Sequence, residues 1–382
     1  MARHAAVENE HELRPAGRHA VPADGPDVSS RAGVRNMVLA MIALTMFVVA
    51  MTASYAGAFA KPTLHHLSVA VAGPEQVVDA IKGQNSLAVT AVGDDAAARQ
   101  QVYERKTDAA FVVAPGAEMK IYVAGGAGRS VANAAESVGR AIAARAGFVP
   151  TVFDVAPPSA GNPSGTVEFY AVIFISIGAS VGATVFGRIM GTVRKPATFL
   201  LRTLTLAAYS ALLAGGVTVY TDAVLSALPG HGWQVFGALW LYAMAVGGAI
   251  TGVAAAFGTI ASMGLTLFLV IVGNAAAAGP VGRPLLSSFY STFTAIVPQG
   301  SGVSLLRSVE YFGANGSVTP VVTLMIWGAV GCVFALGATV RSVVRFPRTA
   351  PLNYRAGHDG NDAATARRER AILRPRVPSP AD

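Results

Sequence analysis

The sequence predicts a polytopic α-helical membrane protein, with six transmembrane helices and an extracytoplasmic α/β domain between helices one and two. Three observations support this fold class. The 60 residues from 223 to 282 contain no Asp, Glu, Lys or Arg. Only 13% of the 382 residues are charged, against roughly 25% in average soluble chains. Arg residues flank the apolar runs, so the net charge of +8 indicates membrane topology rather than nucleic-acid binding.

The uncharged run is too long for a single crossing, because about 20 apolar residues already span a bilayer. We therefore expect transmembrane helices four and five within it, at about 233–257 and 260–278. Gly258 lies between them and permits a tight turn, since a residue without Cβ readily adopts positive φ. The other apolar runs predict helices two, three and six at 169–186, 199–220 and 318–340.

The chain divides into five segments by composition. They are a disordered cytoplasmic tail at 1–35, the first transmembrane helix at 36–61, the extracytoplasmic α/β domain at 62–166, a five-helix transmembrane region at 167–340 and a basic cytoplasmic tail at 341–382. The first helix ends in Ala58-Phe59-Ala60, which resembles a signal-peptidase site, so a cleaved signal peptide is the alternative. Its apolar run is longer than the usual signal-peptide core of about 7–15 residues, which favours an uncleaved anchor.

Charges of both signs return in the α/β domain, and the periodicity becomes that of a soluble fold. The predicted order is β-α-β-α-β-β-α-β in a three-layer or split sheet. We expect Asp94 and Ser130 to cap helices at their N-termini, and Gly147 to end the second of these helices. The predicted strands are 68–72, 87–92, 109–113, 120–123 and 151–155.

The Lys and Arg residues set the orientation of the helices. The loop 187–197 contains Arg188, Arg194 and Lys195, and the C-terminal tail contains nine Arg, whereas the loop 221–232 has none. Because cytoplasmic loops carry the excess of Lys and Arg, both termini are predicted to be cytoplasmic and the α/β domain external. The Ala-, Gly- and Arg-rich composition favours a bacterium, so the predicted location is the bacterial cytoplasmic membrane.

Charged residues are almost absent from the predicted crossings. Arg202 is the exception and is expected to snorkel from a helix end, while Asn274 and Thr205 are the main polar residues deeper in. Proton-coupled carriers usually place Asp, Glu or Lys at mid-membrane, so an energy source outside this chain is favoured. A hydrogen bond between helices is the more conservative interpretation of Asn274.

Other patterns predict no chemistry. The chain has no G-x-x-x-x-G-K-[ST] nucleotide-binding loop. His65, His66 and His231 are interpreted as solvated rather than as metal ligands, and the single Cys332 allows no intrachain disulfide. We expect no cofactor, no metal and no catalytic residues, and therefore no enzyme.

Two small-residue motifs are open to two interpretations. Gly178-x-x-x-Gly182 and Gly248-x-x-x-Gly252 have the spacing that lets helices pack closely. In a chain with 41 glycines, they are equally well explained as chance matches.

The segment 279–317 is the most specific signal in the sequence. Gly279 and Pro280 break helix five, a short amphipathic stretch follows, and Pro298 begins a second one that carries Arg307. Backbone that leaves a helix at membrane depth needs cover from protein or water, so we expect a re-entrant or interfacial helical hairpin on the outer side. The candidate residues of a transport region are Asn274, Pro280, Pro298 and Arg307.

One crossing, a large external α/β domain and five further crossings resemble the type-2 ABC export permeases, in the group related to phage-infection protein. In that family a Gly-Pro-rich segment, a proline and an Arg-containing helix precede the last crossing. The matching residues here are Gly279-Pro280, Pro284, Pro298 and Leu305-Leu306-Arg307. In the outer domain, LSVAVAG at 67–73 and DAAFVVAPG at 108–116 are also similar. The resemblance covers about 36–340.

The resemblance implies a permease subunit of an export system for a hydrophobic, amphipathic or peptide-like substrate. It implies a homo- or heterodimer in membrane lipid, driven by a cytosolic ATPase that is a separate chain. The expected ATPase contact is the loop with Arg188, Arg194 and Lys195. A membrane-anchored scaffold or surface receptor, whose outer α/β domain binds a partner, is the alternative.

Overall fold

A computed structural model describes residues 31–191, 193 and 195–345 of the chain. The predictions for Arg194 and for most of the two polar tails lie outside the described residues. Contacts between residues divide the chain into two compact units, the first ending at Ala53 and the second beginning at Ser54.

Helix α1, Arg31–Phe59, supplies the described part of the first unit. It begins five residues before the predicted first transmembrane helix and has a mean hydropathy of 2.2 over its most apolar window. Large apolar side chains on every side of it are exposed, among them Met41, Leu44 and Val48. An all-apolar helix of this length has the composition of a membrane span.

The α/β domain contains the predicted order of strands and helices. Its strands are β1 Leu67–Ala72, β2 Leu87–Ala91, β3 Ala109–Ala114, β4 Glu118–Val123 and β5 Val149–Asp154, and its helices are α2 Glu75–Lys82, α3 Asp95–Tyr103 and α4 Arg129–Ala146. The sheet order is β2-β1-β3-β4-β5. Only β3 and β4 are antiparallel, because a short turn joins them, and the other pairs are parallel.

Successive side chains along the central strands point to opposite faces of the sheet, so a hydrophobic core forms on each face. Val69 and Phe111 point to the layer of α2 and α4, whereas Ala70 and Val112 point to the layer of α3. Strands buried on both faces read as continuous apolar runs, which is why SVAVA and AAFVV predict them correctly. The predicted three-layer arrangement is confirmed.

The predicted helix caps are confirmed in two cases and wrong in one. The Asp94 carboxylate accepts a hydrogen bond of 2.7 Å from the Ala97 N–H, and Gly147 ends α4 with φ +74°. The N-cap position of α4 is Gly128 rather than Ser130. The Ser130 hydroxyl instead accepts a hydrogen bond from the backbone N–H of Gly282, at 3.0 Å, so it joins the domain to the helical region.

The helical region comprises seven α-helices in the described part of the chain. They are α5 Val167–Met190, α6 Pro196–Val219, α7 Gly232–Phe257, α8 Thr259–Phe268, α9 Ser288–Ile296, α10 Pro298–Tyr311 and α11 Val318–Arg345. Short π-helical segments extend α6 to Val224 and α8 to Gly273. With its extension, α6 joins α1, α5, α7 and α11 as the five described helices long and apolar enough to cross a membrane. The protein is thus mostly helical, as expected of a membrane-associated chain.

Helix α7 lies at the centre of this region, packed against α5, α6 and α11. A Cβ added at Gly252 would overlap the backbone of Gly331 on α11, and one added at Gly331 would overlap the Gly248 carbonyl. A Cβ added at Gly182 on α5 would likewise overlap the Tyr209 ring of α6. Both small-residue motifs are therefore helix contacts, since only a residue without Cβ allows this approach.

We predict that Gly252→Ala lowers the unfolding temperature of the detergent-purified protein. The added methyl group would overlap backbone atoms, which cannot move aside by a change of rotamer. Overpacking of this kind lowers the free energy of unfolding by about 1–3 kcal/mol. Gly237→Ala on the same helix is the matched control, because nothing lies within 4 Å of a Cβ there. That change should be neutral or slightly stabilising, since Ala is the better helix former. Equal unfolding temperatures for the two variants would contradict the contact.

Candidate functional site

Helix α10 is the short helix with the most complete burial in the described chain. It has 14 residues, of which 11 are buried. Its first turn lies between the long helices and its last turn lies against the α/β domain. The candidate site follows this helix from one end to the other.

The first turn of α10 is inserted deep among the long helices. The Gln299 amide donates hydrogen bonds to the Ser176 hydroxyl, at 3.2 Å, and to the Leu269 carbonyl, at 3.0 Å. Just before it, the Ile296 carbonyl accepts a bond of 2.8 Å from the Trp327 indole. Ser176 and Trp327 each lie nine residues after the first residue of their helix, about 14 Å along it. Side chains about 14 Å along two long helices thus fix the position of the α9–α10 turn.

The π-helical segment Leu269–Gly273 makes room for this turn. A Cβ at Gly273 would lie 2.5 Å from the Gln299 amide oxygen, so glycine is needed for the close approach. The Gln299 amide oxygen has no hydrogen-bond partner among the described residues, and the Tyr242 hydroxyl lies next to the Ser176 hydroxyl. Asn274, fully buried, lies next to Tyr55. This part of the bundle is polar but uncharged, and π-helical turns of this kind are frequent at functional sites.

Arg307 holds the other end of α10. Its side chain is 4% exposed. Its guanidinium donates to the carbonyl oxygens of Ala278 at 3.1 Å, Gly279 at 2.9 Å and Gly165 at 3.0 Å. These carbonyls belong to the chain after α8 and to the linker that leaves the α/β domain. One side chain therefore joins three segments that are far apart in sequence.

A buried carboxylate lies close to Arg307. Glu168 is fully buried, and its Oε1 accepts hydrogen bonds from Asn162 Nδ2 at 2.8 Å and from the Tyr311 hydroxyl at 2.7 Å. Its Oε2 has no hydrogen-bond partner in the described chain. Burial, together with the negative charge of Glu168, raises the pKa of Tyr311. Tyr311 therefore stays a neutral donor to Glu168 at physiological pH.

The α/β domain contacts α10 directly through Arg105. This residue follows α3 with φ +59° and donates from Nη1 to the Ser304 carbonyl, at 2.7 Å, and to the Ser308 hydroxyl. Its guanidinium also lies 5.1 Å from the centre of the Phe312 ring. Burial, with the nearby charge of Arg307, lowers the pKa of Arg105 to about 10. The side chain is still charged at neutral pH.

The structure brings only some of the predicted site residues together. Pro298 and Arg307 are buried at the two ends of α10, and Asn274 lies beside its first turn. Pro280 is partly buried and follows Gly279, where a Cβ would overlap the Phe169 ring. Gln299, Glu168 and Arg105 were not among the predicted site residues. The sequence offers one signal for Gln299, an amide at the start of a buried helix. Glu168, however, contacts Tyr311 across 143 residues and Arg105 contacts Ser304 across 199.

The basic residues near the α5–α6 connection lie at the opposite end of α5. Arg188 belongs to the last turn of α5 rather than to a loop, and both it and Lys195 are exposed. Arg202 is 4% exposed instead of snorkelling, and its guanidinium donates to the carbonyls of Gly191 at 3.2 Å and Ala183 at 3.3 Å. It thereby caps the C-terminal end of α5, where carbonyl groups lack helical partners.

The candidate site along α10 consists of hydrogen-bonding and charged side chains. The described residues contain no group of three or more His, Cys, Asp or Glu side chains that could hold a metal ion. The polar groups along α10 are amides, hydroxyls, the Arg307 guanidinium with Glu168 nearby, and the Glu310 carboxylate, which accepts a hydrogen bond of 2.9 Å from the Gly230 N–H. Comparison with protein-family models, with curated proteins and with solved structures finds no match to this chain.

We predict that Arg307→Met lowers the free energy of unfolding by about 3–5 kcal/mol, because it leaves Glu168 and three buried carbonyls without their cation. Arg307→Lys should restore only part of the loss, since an ammonium lacks the planar fork that reaches several acceptors. Arg140→Met, on exposed Arg140 with its i,i+4 partner Glu136, is the control and should change little. Thermal unfolding in detergent measures all three, and similar losses at 307 and 140 would contradict the role of Arg307.

Asp108 gives a pH-dependent prediction. Burial raises the pKa of its carboxyl, while the Ser68 N–H and the charges of Arg105 and Arg283 act in the opposite direction. Between the unfolded-state pKa of about 3.9 and the raised folded-state pKa, the folded protein holds a proton that the unfolded chain has lost. The contribution of the protonated Asp108 to the free energy of unfolding is therefore fully present below about pH 4, and it is lost as the pH rises through the folded-state pKa.

Asp108→Asn removes this titration and still offers an oxygen to the Ser68 N–H. The unfolding temperature of the variant, relative to the wild type, should therefore increase as the pH is raised from 4 to 7. Thermal unfolding at several pH values measures this difference. A difference that stays constant or decreases over that range would contradict the raised pKa.

Proposed function

We propose that the chain crosses a bacterial cytoplasmic membrane six times, with both termini in the cytoplasm and the α/β domain outside. The crossings are α1, α5, α6, α7, α8 with its π-helical extension, and α11. The α8 crossing is the short one, with ten α-helical and five π-helical residues covering roughly 20 Å of the ~30 Å hydrocarbon core. The α9–α10 hairpin complements it as a re-entrant segment, which the depth of its turn supports.

Within this topology we propose a permease subunit of an ABC-type export system, powered by a separate ATPase chain. The observation that best supports this proposal is the position of α10. The helix begins in the uncharged polar cluster between the long helices and ends beside the α/β domain. A change in helix packing at Gln299 is thus passed to the domain through Arg307 and Arg105. The described polar cluster around Gln299 holds no acid or base, which supports an energy source in another chain.

The proposed contact with the ATPase is the α5–α6 connection. Arg188 and Lys195 are exposed there, at the end of α5 farthest from the α/β domain. Arg202 fixes the connection to both helices through its two carbonyl contacts. A displacement of this connection by the ATPase would therefore move α5 and α6 together. Arg194, the third residue of the predicted contact, lies outside the described residues.

The proposed substrate is hydrophobic, amphipathic or peptide-like, and the proposed assembly is a homo- or heterodimer. Support for an apolar substrate comes from a cavity of about 400 Å³ between α6, α7 and α11. Its walls are mainly apolar, with Leu206, Met244 and Leu324 among them, and Arg202 also lines it. Cavities of this size and character suit small apolar ligands or acyl chains.

The second candidate function is a membrane-anchored scaffold or surface receptor. The edge strand β5 favours it, because Val149 and Phe153 are exposed there at 67% and 41%. An unpaired edge with apolar side chains is suited to strand addition by a partner. In this case the outer domain alone would carry the activity.

We predict that the tagged protein, purified from its native membrane in mild detergent, brings with it an ATPase and vanadate-sensitive ATP hydrolysis. The double variant Arg188→Ala/Lys195→Ala should lose most of the co-purifying ATPase, because it removes both exposed cations of the described connection. Lys82→Ala/Arg140→Ala removes the same charge from the α/β domain and should retain the partner. A protein that comes out alone and inert would reject the permease and favour the receptor.

A further inference from the structure

A second cavity, of about 380 Å³, lies where the α/β domain, α10 and the start of α11 meet. Its walls come from five parts of the chain, namely the end of α3 with the residues after it, the segment 124–131, the segment 277–284, the α9–α10 hairpin and the start of α11. The apolar cavity between α6, α7 and α11 is separate and shares none of these residues. A space of this size holds a small polar group or a lipid headgroup.

The charge of this cavity is positive. Arg105, Arg283 and Arg307 line it, and Asp108 is the acidic residue among its lining residues. Glu168 lies close enough to Arg307 to interact electrostatically but does not line the cavity. Even when both carboxylates are counted against the three guanidinium groups, the region keeps a positive charge.

Hydrogen-bond donors in the wall are left over after the internal contacts are satisfied. Arg307 is 4% exposed, and its Nε has no hydrogen-bond partner among the described residues. Arg105 makes its described hydrogen bonds through Nη1 alone. Gly300 and Ser301 also line the cavity; they lie in the first turn of α10, where backbone N–H groups lack helical acceptors.

The cavity opens to the surface. Among its lining residues, Arg283, Ala295, Gly316 and Thr319 are exposed, so the opening lies along the α9 end of the hairpin and the start of α11. Apolar side chains flank the opening, with Ile296 54% and Val318 74% exposed. A charged group can enter the cavity while an apolar chain attached to it stays between these two helices.

We propose that this cavity binds a phosphate group, with Arg105 and Arg307 as the main donors and Arg283 at the entrance. Guanidinium groups pair well with the oxygens of phosphate, and these charge-assisted bonds are about twice as strong as neutral ones. The phosphate can belong to the headgroup of an anionic lipid or to a soluble anion, and the chemistry of recognition is the same. This binding site is independent of the proposed ATPase and would exist in the receptor as well.

Binding is tested on the full-length protein in an uncharged detergent with three probes. Native mass spectrometry counts bound short-chain phosphatidylglycerol and the matching diacylglycerol, which lacks the phosphate. Equilibrium dialysis measures inorganic phosphate. We expect saturable binding of one phosphate-bearing probe per chain and none of diacylglycerol. Binding of phosphatidylglycerol alone assigns the site to a lipid headgroup, whereas competitive binding of inorganic phosphate assigns it to a soluble anion.

Three variants change the affinity in defined directions. Arg105→Gln should weaken binding at least tenfold, because it removes a charged donor. Asp108→Asn should strengthen it, since it removes the opposing charge of the wall. A gain in affinity does not arise from misfolding. Ser304→Leu keeps all three Arg but fills part of the cavity, and should also weaken binding at least tenfold.

Arg140→Gln, which removes a charge outside the cavity, is the control and should bind like the wild type. The proposal is overturned if no phosphate-bearing probe binds saturably, or if diacylglycerol binds as well as phosphatidylglycerol. It is equally overturned if the wild type, Arg105→Gln and Asp108→Asn share one affinity. If Ser304→Leu weakens binding while Arg105→Gln and Asp108→Asn leave the affinity unchanged, the cavity binds the probe by shape and not by charge.

Discussion

The contacts of Arg307 are the interaction on which the helical region depends. A fully charged side chain is buried there against three carbonyl oxygens, each from backbone that has left regular structure. Such carbonyls need a donor when water is excluded. The guanidinium provides it for the linker that enters α5 and for the Gly-Pro segment that leaves α8. Without this guanidinium, the carbonyl groups of both segments would be buried without a hydrogen-bond donor.

The position of α10 follows from that contact and from the small residues around it. Gly279 lets the chain pass the Phe169 ring, Gly273 admits the Gln299 amide, and Gly126 of the α/β domain leaves room for Tyr311. Each glycine is at a close approach between segments rather than in a flexible loop. The α/β domain and the interior of the helical region are therefore linked through one rigid element, with tight packing at both of its ends.

Much of the fold follows from local sequence patterns, while most of the site does not. Strands such as SVAVA and AAFVV and the Asp94 cap are recognised because their causes lie within a few residues, whereas α8 with its π-helical extension ends at Gly273, before the break predicted at Gly279-Pro280. The Arg105 contact with α10 spans 199 residues, and the Gln299 contact with α5 spans 123. Ser130 has the local signature of a cap, yet its hydroxyl is bonded to Gly282. Pairings over such distances leave no periodic signal in a single sequence.

The bonds at the α9–α10 turn also constrain the order of assembly. The turn is fixed by Ser176, which is synthesised long before it, and by Trp327, which is synthesised after it. During translation the hairpin therefore emerges before one of its two supports exists. The Gln299 amide can pair with Ser176 at once, but the Ile296 carbonyl has no Trp327 partner until α11 has left the ribosome, so this part of the chain settles last. Contacts that close over long sequence separations form slowly, and the centre of the molecule is thus completed by its final described helix.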